Sequence, residues 1–203
     1  MLVDSLFQSP PFQITNNIWL LRDFAEAAIL RKHIETTFQQ APFRHMHVPG
    51  EQSMSVGMTN CGALGWVADA AGYRYSTVDP TTQKPWPALP PSWHTLAHDA
   101  AALAGWPGFV PDACLVNRYE AGARMGLHQD KNERDYSQPI VSVSIGSSCN
   151  FEVGGVRRQD SVKSITLHDG DVLVWGGAAR LMHYGVRPVK QGMRYNLTFR
   201  KAG

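Results

Sequence analysis

Cysteine is scarce: the 203-residue chain has three, Cys61, Cys114 and Cys149. An odd number at wide spacings excludes a disulfide framework and a CxxC zinc site. No apolar run approaches the ~18 residues of a membrane helix, so no membrane partner is expected. Charge of one sign is lacking too, since 19 Lys and Arg face 17 Asp and Glu. That balance excludes a general polycation and leaves room for a local basic patch. Met1–Pro10 holds Asp4 and no basic stretch, so it does not read as a signal peptide, and the expected location is cytoplasmic. Repeats, low-complexity tracts and a dividing linker are also missing, which predicts a single domain over 1–203.

What is present suits a turn-rich fold: 18 glycines and 13 prolines, with 43% hydrophobic and 18% charged residues. Residues 23–40 read as a helix, with Asp23 and Glu26 as a capping box and Phe24, Ala27, Leu30, Ile34 and Phe38 at helical spacing. A second helix is predicted over 91–104, with Ser92 as cap and Gly105 and Pro107 as its stop. Between them, Met54, Val56 and Met58 alternate as in a strand that Asn60-Cys61-Gly62 breaks. The prolines at 80, 85, 87, 90 and 91 dictate a loop. From residue 112 short strands follow at Ala113–Tyr119, Ile140–Ile145, Asn150–Val153, Ser164–Leu167, Asp171–Trp175 and Arg194–Arg200. Gly154-Gly155 and Asp169-Gly170 read as hairpin turns. Many short strands without intervening helices predict a mainly β (α+β) chain with a sandwich, jelly roll or barrel.

Leu127-His128-Gln129-Asp130 carries the strongest chemical signal. On extended backbone His128 and Asp130 share a face, about 6–7 Å apart at the backbone, and can converge on one ion. Alone, such a pair is most simply a polar loop edge. His183 supplies a second imidazole downstream, and two His with one carboxylate leave three positions of an iron open. In Arg194–Arg200 the residues alternate strictly, so Arg194, Asn196, Thr198 and Arg200 share one face. The plain alternative is an edge strand with a solvated basic face; the functional reading is a carboxylate clamp. Asn117 and Tyr119 share a strand face and suit the same anion. Together these point to oxidation by iron(II) with 2-oxoglutarate. His94 and His98 lie four apart on the second helix, but Thr95 stands where a zincin has Glu, so no metal is assigned to them.

The segments MSVGMTNCGALGW (54–66), YRYSTVDPTTQKPWPALP (73–90), PDACLVNRYEAGARMGLHQDKNE (111–133), PIVSVSIG (139–146), GDVLVWGG (170–177) and RYNLTFR (194–200) resemble the AlkB family of iron(II)/2-oxoglutarate dioxygenases. The resemblance implies a double-stranded β-helix (jelly-roll) core over 111–203, preceded by N-terminal helices and a nucleotide-recognition lid over 1–110. It implies iron held by His128 and Asp130, and 2-oxoglutarate bound by Asn117, Tyr119, Arg194, Asn196 and Arg200, with Arg200 on the distal carboxylate. For substrate it points to Met58, Trp66, Tyr73, Tyr75, Lys131, Asn132 and Arg158. Trp66 and Tyr73 would replace the stacking a flipped base loses, where the plain alternative is packing of a loop onto the sheet.

The implied reaction is oxidative demethylation of 1-methyladenine and 3-methylcytosine with O2. The implied partners are single- or double-stranded DNA and RNA, with no obligate protein partner. Two alternatives stand beside it: an impaired AlkB-like module that only binds alkylated nucleic acid, and an oxygenase of the same mechanism acting on tRNA or another substrate.

Three departures from the family pattern stand out. The downstream ligand of the family is the His of Tyr-His-Gly, whereas this chain has Met182-His183-Tyr184-Gly185. A gapless match puts Tyr184 in the ligand column, and His183 is expected to reach the metal through a bulge that Gly176, Gly177 or Gly185 would permit. The connection from Gly185 to Arg194 is shortened. Asn132 replaces an acid that reads the base, and an amide both donates and accepts.

Overall fold

The computed structural model describes residues 10–47 and 53–203, and most of the segment read against a signal peptide lies outside them. Its strands in chain order are β1 (Phe12–Thr15), β2 (Ile18–Leu21), β3 (Arg44–His47), β4 (Ser53–Gly62), β5 (Gly65–Asp69), β6 (Gly72–Ser76) and β7 (Ala113–Tyr119). They continue as β8 (Met125–His128), β9 (Ile140–Gly146), β10 (Cys149–Val153), β11 (Lys163–Leu167), β12 (Val172–Trp175), β13 (Tyr184–Val186) and β14 (Arg194–Arg200). The helices are α1 (Ala27–Gln40) and α2 (Pro91–Leu103), with a 3₁₀ turn at Gly177–Leu181.

An eight-stranded sheet runs β1-β2-β12-β9-β14-β7-β4-β3, a four-stranded sheet runs β11-β10-β13-β8, and β5 and β6 form a separate ribbon. The two larger sheets enclose an inner core that includes Leu115, Tyr119, Phe151, Val153, Trp175 and Tyr184. On the outer face of the large sheet, Val116, Val141, Val143, Leu197 and Phe199 pack with Trp93, Ala97, Leu30 and Ile34 of the helices. This is the expected jelly roll, with one change of boundary. The large sheet takes β1 to β4 from the N-terminal half, so the core does not begin at residue 111.

Several local expectations are corrected. Helix α1 starts at Ala27 with no side-chain cap, because Asp23 sits at φ 49° and its amide donates to Asp171 instead. Helix α2 opens on Pro90-Pro91, where a missing N–H costs nothing, and Ser92 turns to His33. Strand β4 runs through Asn60-Cys61-Gly62, since all three pair with β7. Gly154-Gly155 is no hairpin turn: β11 begins only at Lys163, and Gly154 N–H donates to the His183 carbonyl. The Asp169-Gly170 turn joins β11 of one sheet to β12 of the other, so it is a crossover. Among the described residues no helix is long and apolar enough to cross a membrane.

Candidate metal centre and co-substrate pocket

Strand β8 delivers His128 and the residues after it deliver Asp130. Their facing atoms, Nε2 and Oδ1, lie 3.6 Å apart. His128 Nδ1 donates to the Gly126 carbonyl at 2.9 Å, which leaves the Nε2 lone pair free for an ion. Asp130 accepts from Arg200 through Nε at 2.9 Å and Nη2 at 2.6 Å. Burial pushes the Asp130 carboxyl up, but Arg200 and then His128 outweigh it and hold the pKa below the ordinary range. The carboxylate is therefore charged and ready to bind a cation.

The pocket beside this pair has a cavity of about 60 Å³, lined by Asn117, Tyr119, Ser142, Asn196, Thr198 and Arg200 with Trp175 and Tyr184 opposite. Its floor is the polar face of β14 between β7 and β9, so the arginines are not on an edge strand. Asn117 donates to Asn196 at 3.1 Å, Thr198 donates to Asn196 at 2.9 Å, and Asn196 donates to Ser142 at 2.8 Å. Arg194 donates through Nη2 to Ser144 at 3.1 Å and lies over the Tyr119 ring. Burial pushes the Tyr119 phenol up to about 12, so it stays a donor at neutral pH.

Some buried groups have no partner: Arg194 Nε and Nη1, Asn117 Oδ1 and Trp175 Nε1. A buried guanidinium with spare donors calls for an acceptor, and a carboxylate is the acceptor that matches its fork. This bears on one assignment. The resemblance puts Arg200 on the distal carboxylate of 2-oxoglutarate, but the Arg200 fork is already on Asp130, with Glu133 Oε1 3.4 Å from its Nε. The open donors belong to Arg194.

A second correction concerns His183. Strand β13 pairs with β10 without a shift, Val153 opposite Tyr184 and Glu152 opposite Gly185. Tyr184 in turn lies opposite His128 of β8. Side chains of directly opposed residues share a face, so Tyr184 turns inward with Val153 and His128. The alternation turns His183 the other way, where its Nδ1 donates to the Gly155 carbonyl at 3.2 Å. A bulge does exist, between the pairs Tyr184–His128 and Val186–Met125, but its extra residue lies on β8. It cannot return His183 to the inner face. Among the described residues no third His, Cys, Asp or Glu joins His128 and Asp130.

The segment expected to form a lid includes the β5–β6 ribbon. Trp66 stacks on Tyr73 with centroids 5.6 Å apart and planes at 14°, and its Nε1 donates to Asn132 at 3.0 Å. Tyr73 is 46% exposed and meets solvent, while Trp66 is partly buried and packs against the inner core, as the plain alternative had it. Tyr75 donates to Glu133 at 2.5 Å, and Glu133 accepts from Arg180 at 2.8 Å. A cleft of about 400 Å³ is lined by Tyr73, Tyr75, Asn132 and Arg134. Lys131 and Arg158 are exposed, and neither side chain makes a hydrogen bond or ion pair among the described residues. Met58 is 1% exposed and packs in the inner core, so it offers no open surface to a substrate.

Sequence reasoning missed Glu133, Arg180, Ser142 and Ser144. The serines did leave a signal, because Ser142 and Ser144 interrupt an apolar strand with period two. The burial of the Glu133–Arg180 pair had none: the two residues are far apart in sequence and meet only in the fold.

The N and O donors of His128 and Asp130 suit iron(II), and the spare donors of Arg194 suit a dicarboxylate beside it. Comparison with known proteins agrees. The family model described as "2OG-Fe(II) oxygenase superfamily" matches residues 17–200, and the chain belongs to that family. Within it, the chain is 48% identical to the alpha-ketoglutarate-dependent dioxygenase AlkB of Escherichia coli K12, covering 100% of this chain and 99% of that one. It is 40% identical, over 47% of its length and 25% of the relative's, to the DNA N(6)-methyladenine demethylase ALKBH1C of Arabidopsis thaliana. The solved structure of OsALKBH1 superposes with a TM-score of 0.81 at 26% identity, over 95% of this chain and 100% of that one.

Proposed function

We propose that this dioxygenase removes methyl groups from N-alkylated nucleobases of the 1-methyladenine and 3-methylcytosine type, in DNA and in RNA. The co-substrates are 2-oxoglutarate and O2, and the products are formaldehyde, succinate and CO2. The observation that carries this is the juxtaposition of an ion-binding pair, spare buried guanidinium donors and a solvent-facing aromatic platform.

His128 and Asp130 would hold the iron, which when bound supplies the oxidation of the N-linked methyl carbon. Arg194 binds the far carboxylate of 2-oxoglutarate, with Tyr119 and Asn117 on β7 alongside it. Arg200 keeps Asp130 charged and fixed in direction. Trp66 and Tyr73 receive the flipped base, each stacked face being worth about 1–3 kcal/mol. A cationic methylated base gains further from the ring face. Asn132 stands at the Trp66 edge and presents amide donors to the base. Lys131 and Arg158 remain free for phosphate.

Mass spectrometry of oligonucleotides carrying one 1-methyladenine or one 3-methylcytosine tests the reading. The expected result is loss of the methyl group only when iron(II), 2-oxoglutarate and O2 are all present. Persistent methylated oligonucleotide with 2-oxoglutarate bound would leave a binding module. Parallel DNA and tRNA substrates rank the two nucleic acids.

A further inference from the structure

We infer that the protein gives its metal two side-chain ligands, His128 and Asp130, and that Tyr184 closes the third corner of the centre as a wall. The inference rests on the reading of this pocket as an iron site, and departs from the two-His, one-carboxylate set that the sequence predicts.

Register carries the argument. Strand β13 is pinned on both sides, by β10 through Val153–Tyr184, Glu152–Gly185 and Phe151–Val186, and by β8 through Tyr184–His128. The ladder continues past the strand, with Gly154 N–H to the His183 carbonyl at 2.8 Å and His183 N–H to the Gly155 carbonyl at 2.9 Å. Turning His183 inward would break these pairs on a buried strand and expel Tyr184, which is 4% exposed. Tyr184 is also wedged among aromatic rings, 5.0 Å from Trp175, 5.1 Å from His128 and 6.3 Å from Phe151 between centroids. Its oxygen accepts the backbone N–H of Asp130 at 3.1 Å, so it already has a partner in the protein. Gly185 allows the close approach of the two strands, since a Cβ there would lie 2.7 Å from the Met125 carbonyl oxygen. The tyrosine is thus built into the site, and the histidine before it is built out of it.

The consequence is a metal held by fewer protein atoms, and held more weakly. Anaerobic titration of the full chain with Co(II), followed by its visible d–d bands, measures this without turnover. Tyr184→His is expected to raise Co(II) affinity by about tenfold or more, on the scale of metal-site perturbations. His183→Ala is expected to leave the affinity unchanged, and Asp130→Ala to abolish binding. Loss of affinity in His183→Ala would overturn the inference in favour of a rebuilt strand. A visible tyrosinate-to-metal charge-transfer band in the iron-loaded, oxidised parent chain would overturn it in favour of a tyrosine ligand. Should Tyr184→His fail to fold, His183→Ala and the charge-transfer band still decide. Absence of Co(II) binding in the parent chain would instead defeat the iron-site reading, and the inference with it.

Discussion

Arg194 and Arg200 share a strand face, yet their neighbours divide their labour. Arg200 sits on Asp130 and beside Glu133, whereas Arg194 keeps Nε and Nη1 buried without a partner behind Tyr119. Arg194→Lys should therefore weaken 2-oxoglutarate binding by about 2 kcal/mol, roughly thirtyfold, because one ammonium cannot reproduce the fork. Arg200→Lys should act first on metal affinity, through a less firmly held Asp130. Calorimetric titration of 2-oxoglutarate and of Co(II) into both variants checks the assignment, and the reverse pattern would return the distal carboxylate to Arg200. Both arginines were legible from their alternation with Tyr195, Leu197 and Phe199. Their separate roles were not, because these depend on Asp130 and Ser144, which the fold alone brings to them.

At the scale of elements, strict alternation made β14 readable to the residue, and β7 was readable as a short strand between turn signals. Strand β13 has three residues, one of them glycine, and shows no period. Its register comes from β10 and β8, so the inward turn of Tyr184 could not be read from the order His183-Tyr184 alone. Gly185→Ala should force β13 from β8 and cost about 1–3 kcal/mol, the usual penalty of overpacking, seen as a lower denaturation midpoint with weaker metal binding.

The loop after the lid offers a pH test. Asp79 accepts from Arg44 at 2.7 Å and from the Thr81 N–H at 2.8 Å. Burial raises the Asp79 pKa, but these bonds outweigh it and the net direction is down. A lowered folded value means the contribution is complete above the unfolded pKa of about 3.9 and is lost as pH falls below it. The protection factors of the 79–84 amides, exchange rates divided into the intrinsic rate at each pH, should fall on acidification below that point. Asp79→Ala should remove the dependence and cost about 1–3 kcal/mol at neutral pH, the scale of charge-assisted bonds lost from a part-buried pair. A protection factor that is flat with pH in the parent chain would refute the role of this pair.

For the whole molecule, the jelly roll brings the ion-binding pair, the polar floor and the lid to one mouth from segments far apart in sequence. The resemblance made that architecture legible. It did not reveal that β1 to β4 complete the large sheet, because strands such as Phe12–Thr15 and Arg44–His47 are short and irregular in pattern. With a formal net charge of +2, the proposed grip on phosphate would be local, and few contacts are expected to be salt-sensitive.

The central claim is coupling of 2-oxoglutarate oxidation to loss of a base methyl group at this mouth. A single-turnover experiment tests it most directly: the anaerobic complex with iron(II), 2-oxoglutarate and a 1-methyladenine oligonucleotide is mixed with O2, and succinate and formaldehyde are counted. The account predicts the two products in equal amounts, with an unmethylated oligonucleotide giving no formaldehyde. Succinate without formaldehyde from the methylated strand, or neither product, would contradict it.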